Sequence, residues 1–293
     1  MKEKVFVGCG TAIATPFSED GINYEAFGNL IEDQIKNGID AIIVCGTTGE
    51  SSTMSNEEKK EVIKYAIDKI NKRTKVIVGT GGNNTKNVIE LSMYAEQMGA
   101  DALLIVTPYY NKATQNGLVI HYKTIAEHVN IPIILYSVPS RTGVNILPET
   151  CLELSKIKNI VAIKEASGNI SQIAKIASLC RDNLHIYSGN DDQTIPILSL
   201  GGIGVISVLS NIMPKYTCQM VHKYLNGEVK EACKMQLDSL ELINMLFCEV
   251  NPIPVKYALN LLGYNYGIPR LPLTELSIAN QEKMAKILKK INK

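Results

Sequence analysis

An alternation kept up over most of the chain limits what it can fold into. Short runs rich in Val, Ile and small residues lie at 8–14, 41–45, 76–80, 102–107, 133–138, 160–166, 185–189 and 204–208. Between and after them come segments with a helical period, at 24–37, 56–71, 85–98, 115–129, 148–155, 170–180, 193–200 and 214–225. Signals at single ends agree: Ser55 followed by Glu58 has the form of a capping box, and Gly38 and Gly99 stand where helix ends favour glycine. Eight strands, each followed by a helix, predict an α/β chain folded as a (β/α)8 TIM barrel. A doubly wound open sheet is the alternative, but so many strands in an open sheet would more often show an interrupted repeat.

Asn226-Gly227 breaks the pattern, and the rest of the chain is helical in period over 229–247, 253–262 and 277–291. Gly263 and a turn at 267–269 separate the later pieces. The expectation is a barrel over 1–226 and a C-terminal helical extension of about three helices over 227–293. The chain has 293 residues, and α/β barrels reach about 250 as one domain.

Several function classes are excluded at this level. A formal charge of +1 without a dense basic block argues against nucleic acid and anionic membrane surfaces. No apolar run reaches the roughly 18 residues of a membrane span, and residues 1–8 make a poor signal peptide. The seven cysteines are scattered and contain no Cys-x-x-Cys, which fits reduced thiols in a cytoplasmic protein. The four histidines show no zinc-ligand spacing, so no metal is indicated.

Within the sixth run, 160–167 reads Ile-Val-Ala-Ile-Lys-Glu-Ala-Ser. As a strand it puts Ile160, Ala162, Lys164 and Ala166 on one face, with two alanines leaving room for the lysine stem. Burial disfavours an ammonium, and a neutral amine attacks carbonyl carbon to form a Schiff base. The plainer reading is a lysine that reaches water or pairs with Glu165.

Chemistry in such barrels sits at the C-terminal strand ends. The second run leads into Gly46-Thr47-Thr48-Gly49-Glu50, an ordinary turn or a receptor of hydroxyls and backbone N–H groups for a small carboxylate. Tyr136 falls on the 132–134–136 face, as barrel filling or as a phenol able to pass protons beside Lys164. Arg141, just past the fifth run, is a solvated charge or a two-point partner for a carboxylate.

Five motifs in order then carry a resemblance: Gly46 to Glu50, Pro108-Tyr109-Tyr110-Asn111, Tyr136 to Gly143, Ile163-Lys164-Glu165-Ala166, and Asn251-Pro252-Ile253-Pro254-Val255-Lys256. Together they resemble the dihydrodipicolinate synthase family, within the pyruvate-dependent class I aldolase superfamily, over essentially the whole chain. The resemblance implies a Schiff-base-forming lyase that condenses pyruvate with L-aspartate 4-semialdehyde. The product is 4-hydroxy-tetrahydrodipicolinate, for lysine and diaminopimelate biosynthesis. It implies no cofactor beyond the covalent pyruvate imine on Lys164. Tyr136, Thr47 and Tyr110 would form a proton relay, with Tyr110 supplied across a dimer interface where Tyr109 also packs. Thr48 would join Thr47 at the pyruvate carboxylate, Gly189 and Ile206 would line the site, and Arg141 would hold the semialdehyde carboxylate. The implied assembly is a cytoplasmic homotetramer, a dimer of dimers.

Sister activities, such as N-acetylneuraminate lyase or a 2-keto-3-deoxy sugar-acid aldolase, share the lysine, the tyrosine and the threonine loop. Arg141 in its Val-Pro-Ser-Arg-Thr-Gly setting favours the synthase, because a sugar acid offers no second carboxylate there. A barrel that only binds a keto acid would be expected to lose the lysine or the relay, and both are present. One departure concerns feedback. Lysine-sensitive members have histidines where this chain has Asn56 and Lys59, and a carboxylate where it has Asn87. Weak or absent inhibition by lysine is the expectation.

Overall fold

In the computed structural model, which describes residues 2–291, the eight apolar runs form one closed parallel barrel. The strands are β1 Gly8–Ala12, β2 Ala41–Val44, β3 Lys75–Gly79, β4 Ala102–Val106, β5 Ile133–Ser137, β6 Ile160–Glu165, β7 His185–Ser188 and β8 Gly204–Ser207. Each pairs with the next, and β8 returns to β1 with Gly8 opposite Gly204 and Thr11 opposite Ser207. The open-sheet alternative is thereby removed.

Both faces of every strand are buried, which is why they read as continuous apolar runs rather than alternating ones. Period two still sorts their side chains. Ile42, Val44, Val78, Leu103, Ile105, Ile163 and Val205 join the layer under the helices. Ile43, Ile77, Leu104, Ile134, Ala162, Tyr187 and Ile206 fill the barrel interior.

The barrel helices are α1 Tyr24–Lys36, α2 Asn56–Ile70, α3 Thr85–Met98, α4 Gln115–Ala126, α5 Pro148–Leu154, α6 Ile170–Cys180, α7 Thr194–Ser199 and α8 Pro214–Leu225. Ser55 starts α2 with a complete capping box: its hydroxyl accepts from the Glu58 N–H at 3.1 Å, and Glu58 Oε2 accepts from the Ser55 N–H at 2.9 Å. Gly99 ends α3 with φ +98, a conformation that favours glycine. A two-stranded antiparallel ribbon, Phe17–Ser18 with Gly21–Ile22, precedes α1 and was not signalled by periodicity.

After α8 come α9 Val229–Asp238, α10 Leu240–Leu246, α11 Ile253–Leu261 and α12 Ile278–Ile291. The expected single helix over 229–247 is therefore two. They meet at Ser239, whose hydroxyl donates to the Gln236 carbonyl at 3.0 Å, competing with the helical ladder as serine commonly does. The extension meets the barrel at the loops after β2 and β7. Gln236 donates to the Asp191 carbonyl at 2.9 Å, and Asn251 and Lys256 reach the 46–50 loop. Among the described residues no helix is long and apolar enough to cross a membrane.

Candidate active site

Lys164 stands directly opposite Tyr136 across the β5–β6 ladder, so both side chains enter the barrel interior near its C-terminal end. The lysine is 5% exposed, with Nζ 4.3 Å from the centroid of the Tyr136 ring. Among the described residues that cation–π contact is its one polar engagement; no acceptor holds the amine. Ala162 and Ala166 share its face as the alternation predicts, but Ile160 does not. A register irregularity at Ile133/Ile134 places Ile133 opposite Ile160 and Ile134 opposite Ala162, so Val161 turns into the barrel and Ile160 into the helix layer.

Glu165 is not the partner of Lys164, because adjacent strand residues face opposite ways. It points into the helix layer, fully buried, and accepts from the Ser167 N–H at 2.8 Å and the Gln172 amide at 2.6 Å. Burial pushes its carboxyl above the usual range, opposed by these donors. Beside Lys164 the wall is made by Gly189, where a Cβ would lie 3.1 Å from Lys164 Cε and 2.7 Å from Ala166 Cβ. Ile206, opposite Gly10, belongs to the same interior cluster.

The loop after β2 is a tight turn in which Gly49 N–H donates to Gly46 O and Glu50 N–H to Thr47 O, each at 3.1 Å. These two amides are thus engaged within the loop. The amides of Thr47 and Thr48 donate to no protein acceptor among the described residues. The loop can therefore offer a carboxylate two N–H groups and the threonine hydroxyls. Thr48 is buried and its Oγ1 accepts from Asn251 Nδ2 at 3.0 Å.

Arg141 lies in a single helical turn, Pro139–Thr142, and donates to Asn251 O at 3.3 Å. A cleft of about 260 Å³ brings Thr47, Tyr109, Arg141 and Lys59 together, with Val138 and Gly79 in its wall. Lys164, Tyr136, Gly189 and Ile206 are not part of that wall; they lie in the barrel interior. Tyr110 is 90% exposed with φ 73, so the chain does not bury it in its own site.

Three residues near the site were visible in the sequence but were given no individual role there. Asn251 bridges Thr48 and Arg141, and its Oδ1 is buried without a partner. Lys256 is fully buried against Glu50, and desolvation lowers it to about 8, although Glu50 acts to raise it. Both stand in a motif that was visible, yet nothing local told where it would reach. Asp191 is the third. Its Oδ2 accepts from the Val208 and Leu209 N–H groups at 2.9 and 3.0 Å, and its Oδ1 is buried without a partner. Burial pushes this carboxyl up, opposed by Ser207, those N–H groups and the charge of Lys164. Among the described residues no three His, Cys, Asp or Glu side chains are grouped to hold a metal.

Comparison with known proteins gives a consistent picture. The model of the Dihydrodipicolinate synthetase family matches residues 5–291. The chain is 56% identical to the 4-hydroxy-tetrahydrodipicolinate synthase of Acetivibrio thermocellus over 289 residues, 99% of this chain and 98% of that one. It is 57% identical to 4-hydroxy-tetrahydrodipicolinate synthase 1 of Clostridium acetobutylicum over 276 residues, 94% of each. The crystal structure of dihydrodipicolinate synthase from Aquifex aeolicus matches with a TM-score of 0.96 at 46% identity, covering 98% of both chains.

Proposed function

The chain belongs to the dihydrodipicolinate synthetase family, and on that premise we propose that its reaction runs through a covalent imine between Lys164 and pyruvate. The enzyme condenses pyruvate with L-aspartate 4-semialdehyde to give 4-hydroxy-tetrahydrodipicolinate, a lyase-class step of lysine and diaminopimelate biosynthesis that uses no external cofactor. The observation that carries the imine reading is Lys164 itself: buried, held by no acceptor, and set against the Tyr136 ring.

In this reading the Lys164 amine adds to the keto carbon of pyruvate, and loss of water leaves a protonated imine. That cation draws electrons from the pyruvate methyl, which gives up a proton to form an enamine. The enamine carbon attacks the aldehyde of the second substrate, and its amino group then closes the ring and releases the lysine. Tyr136, Thr47 and Tyr110 pass the protons that these steps demand. Thr47 and Thr48 receive the pyruvate carboxylate, Gly189 and Ile206 shape the space around the imine, and Arg141 receives the carboxylate of the semialdehyde.

The near-complete exposure of Tyr110 supports its service to the site of a second copy, with Tyr109 beside it at the interface. The assembly in this reading is a homotetramer built as a dimer of dimers. The catalytic barrel spans 1–226 and the helical extension 227–293. Seven cysteines, none in a disulfide, suit a reducing cytoplasm.

Pyruvate consumption by the purified protein, with and without L-aspartate 4-semialdehyde, tests the reading. Consumption should need both substrates and vanish in Lys164→Ala, and borohydride with pyruvate alone should fix a pyruvyl adduct on Lys164. Turnover surviving in Lys164→Ala, or an adduct on another lysine, would remove the imine from Lys164.

A further inference from the structure

Residues 251–256 hold the loops around the site at three points. Asn251 takes Thr48 and Arg141, and Lys256 takes Glu50. Lys256 Nζ donates to Glu50 Oε1 at 2.8 Å and to Ile268 O at 3.1 Å. Both side chains of this pair are 0% exposed. The second carboxylate oxygen of Glu50 accepts the Arg270 N–H at 3.0 Å. Phe17 closes the pair off, its ring centroid 4.2 Å from Lys256 Nζ and 4.1 Å from the Arg270 guanidinium carbon. Arg270 in turn grips both oxygens of Glu58, at 2.9 and 2.7 Å.

A buried ion pair is a poor source of net stability, because two desolvated charges often do no better than apolar residues of the same shape. What such a pair supplies here is geometry. Glu50 ends the turn that carries Thr47 and Thr48, and it does so in the left-handed region at φ 53, where a residue with a side chain is uncommon. Its N–H donates to the Thr47 carbonyl at 3.1 Å. With both carboxylate oxygens fixed from the extension, the left-handed conformation and the threonine turn before it are over-determined.

Resting on the imine reading, we infer that the Lys256–Glu50 pair is a positioning device through which the C-terminal extension sets the Thr47–Thr48 receptor for the pyruvate carboxylate. Neither side chain touches substrate; both act through the turn. Removing one partner leaves a buried unpaired charge and costs stability, whereas removing both charges together need not. That difference separates a positioning role from a structural one.

The experiment measures thermal midpoint, pyruvate KM, kcat and borohydride trapping on full-length Lys256→Met, Glu50→Gln and the double variant. Lys256→Met should melt earlier and raise the pyruvate KM by roughly tenfold or more, while saturating pyruvate still labels Lys164. The double variant should regain its thermal midpoint yet keep the raised KM. A KM that returns to the wild-type value together with the midpoint, or never leaves it, overturns the positioning role. Should the variants not fold, hydrogen exchange on the wild type decides: pyruvate should slow exchange over 46–50 and 251–257 together, and protection confined to 46–50 overturns the inference. A wild type that forms no adduct on Lys164 defeats the imine reading first, and this inference with it. An intact adduct with unmoved KM defeats only the inference.

Discussion

A methyl group added at Gly189 measures how closely the wall beside Lys164 is built. Gly189 comes directly after β7 and its N–H donates to Glu165 O at 2.8 Å. It is not among the positive-φ glycines, so alanine there is a steric change and not a backbone one. The new Cβ would stand 2.7 Å from Ala166 Cβ, 3.0 Å from Glu165 O and 3.1 Å from Lys164 Cε. Carbon atoms settle at about 3.5–4.0 Å, so the overlap with Ala166 approaches 1 Å. Ala166 Cβ and the Glu165 carbonyl are fixed to backbone and cannot rotate away; the lysine stem is the part free to yield. Overpacking of this kind costs about 2 kcal/mol, or roughly 3 °C in Tm for a chain of this size. If Lys164 carries the imine as proposed, displacing its amine by about 1 Å costs on the order of 10²-fold in rate. Gly189→Ala should therefore lose most of its kcat and most of its borohydride-trapping rate while melting only a few degrees early. Turnover and trapping within about twofold of wild type would show that the Lys164 amine is not held by this wall, and the steric account would fail.

The site and its surroundings set three further outcomes. Tyr110→Phe should lower turnover by about 10²-fold yet leave pyruvate trapping on Lys164 intact, and retained full activity would take Tyr110 out of the relay. His121, on α4, has Nδ1 2.9 Å from Thr85 Oγ1 at the start of α3 and a buried Nε2 with no partner among the described residues, and burial lowers it from 6.5 to about 4. The unfolded chain therefore binds the extra proton first. The stability of the neutral ring is complete above pH 6.5 and is lost as pH falls toward about 4, a loss on the order of 2–3 kcal/mol. His121→Gln should flatten the acid limb of a urea-denaturation series over that window; an unchanged slope would refute the assignment. Free lysine should inhibit turnover weakly or not at all, since Lys59 lines the cleft as a positive charge and positions 56 and 87 are asparagines; strong inhibition at micromolar to low-millimolar lysine would contradict this.

What the sequence disclosed, and what it withheld, divides along a physical line. The barrel was legible because parallel strands buried on both faces must be continuous apolar runs, and eight of them recur at helix-length intervals. The meeting of Tyr136 with Lys164 was legible for a related reason: period two sends both inward, and neighbouring strands carry them. The shift at Val161 was not, because Ile160 and Val161 are equally apolar and the extra residue of β6 shows only in its pairing with β5. Nor was the break at Ser239, where the apolar period runs on across the interruption. The deeper omission is the bond from Lys256 to Glu50, which spans 206 residues. A residue that acts where its own strand places it leaves a local pattern that can be read. A residue that acts by holding another loop leaves none, because its partner's position is a property of the closed barrel. The motif at 251–256 was visible as a string of letters, but its work, fixing Thr48, Arg141 and Glu50, exists only once α11 has packed against the ends of the strands.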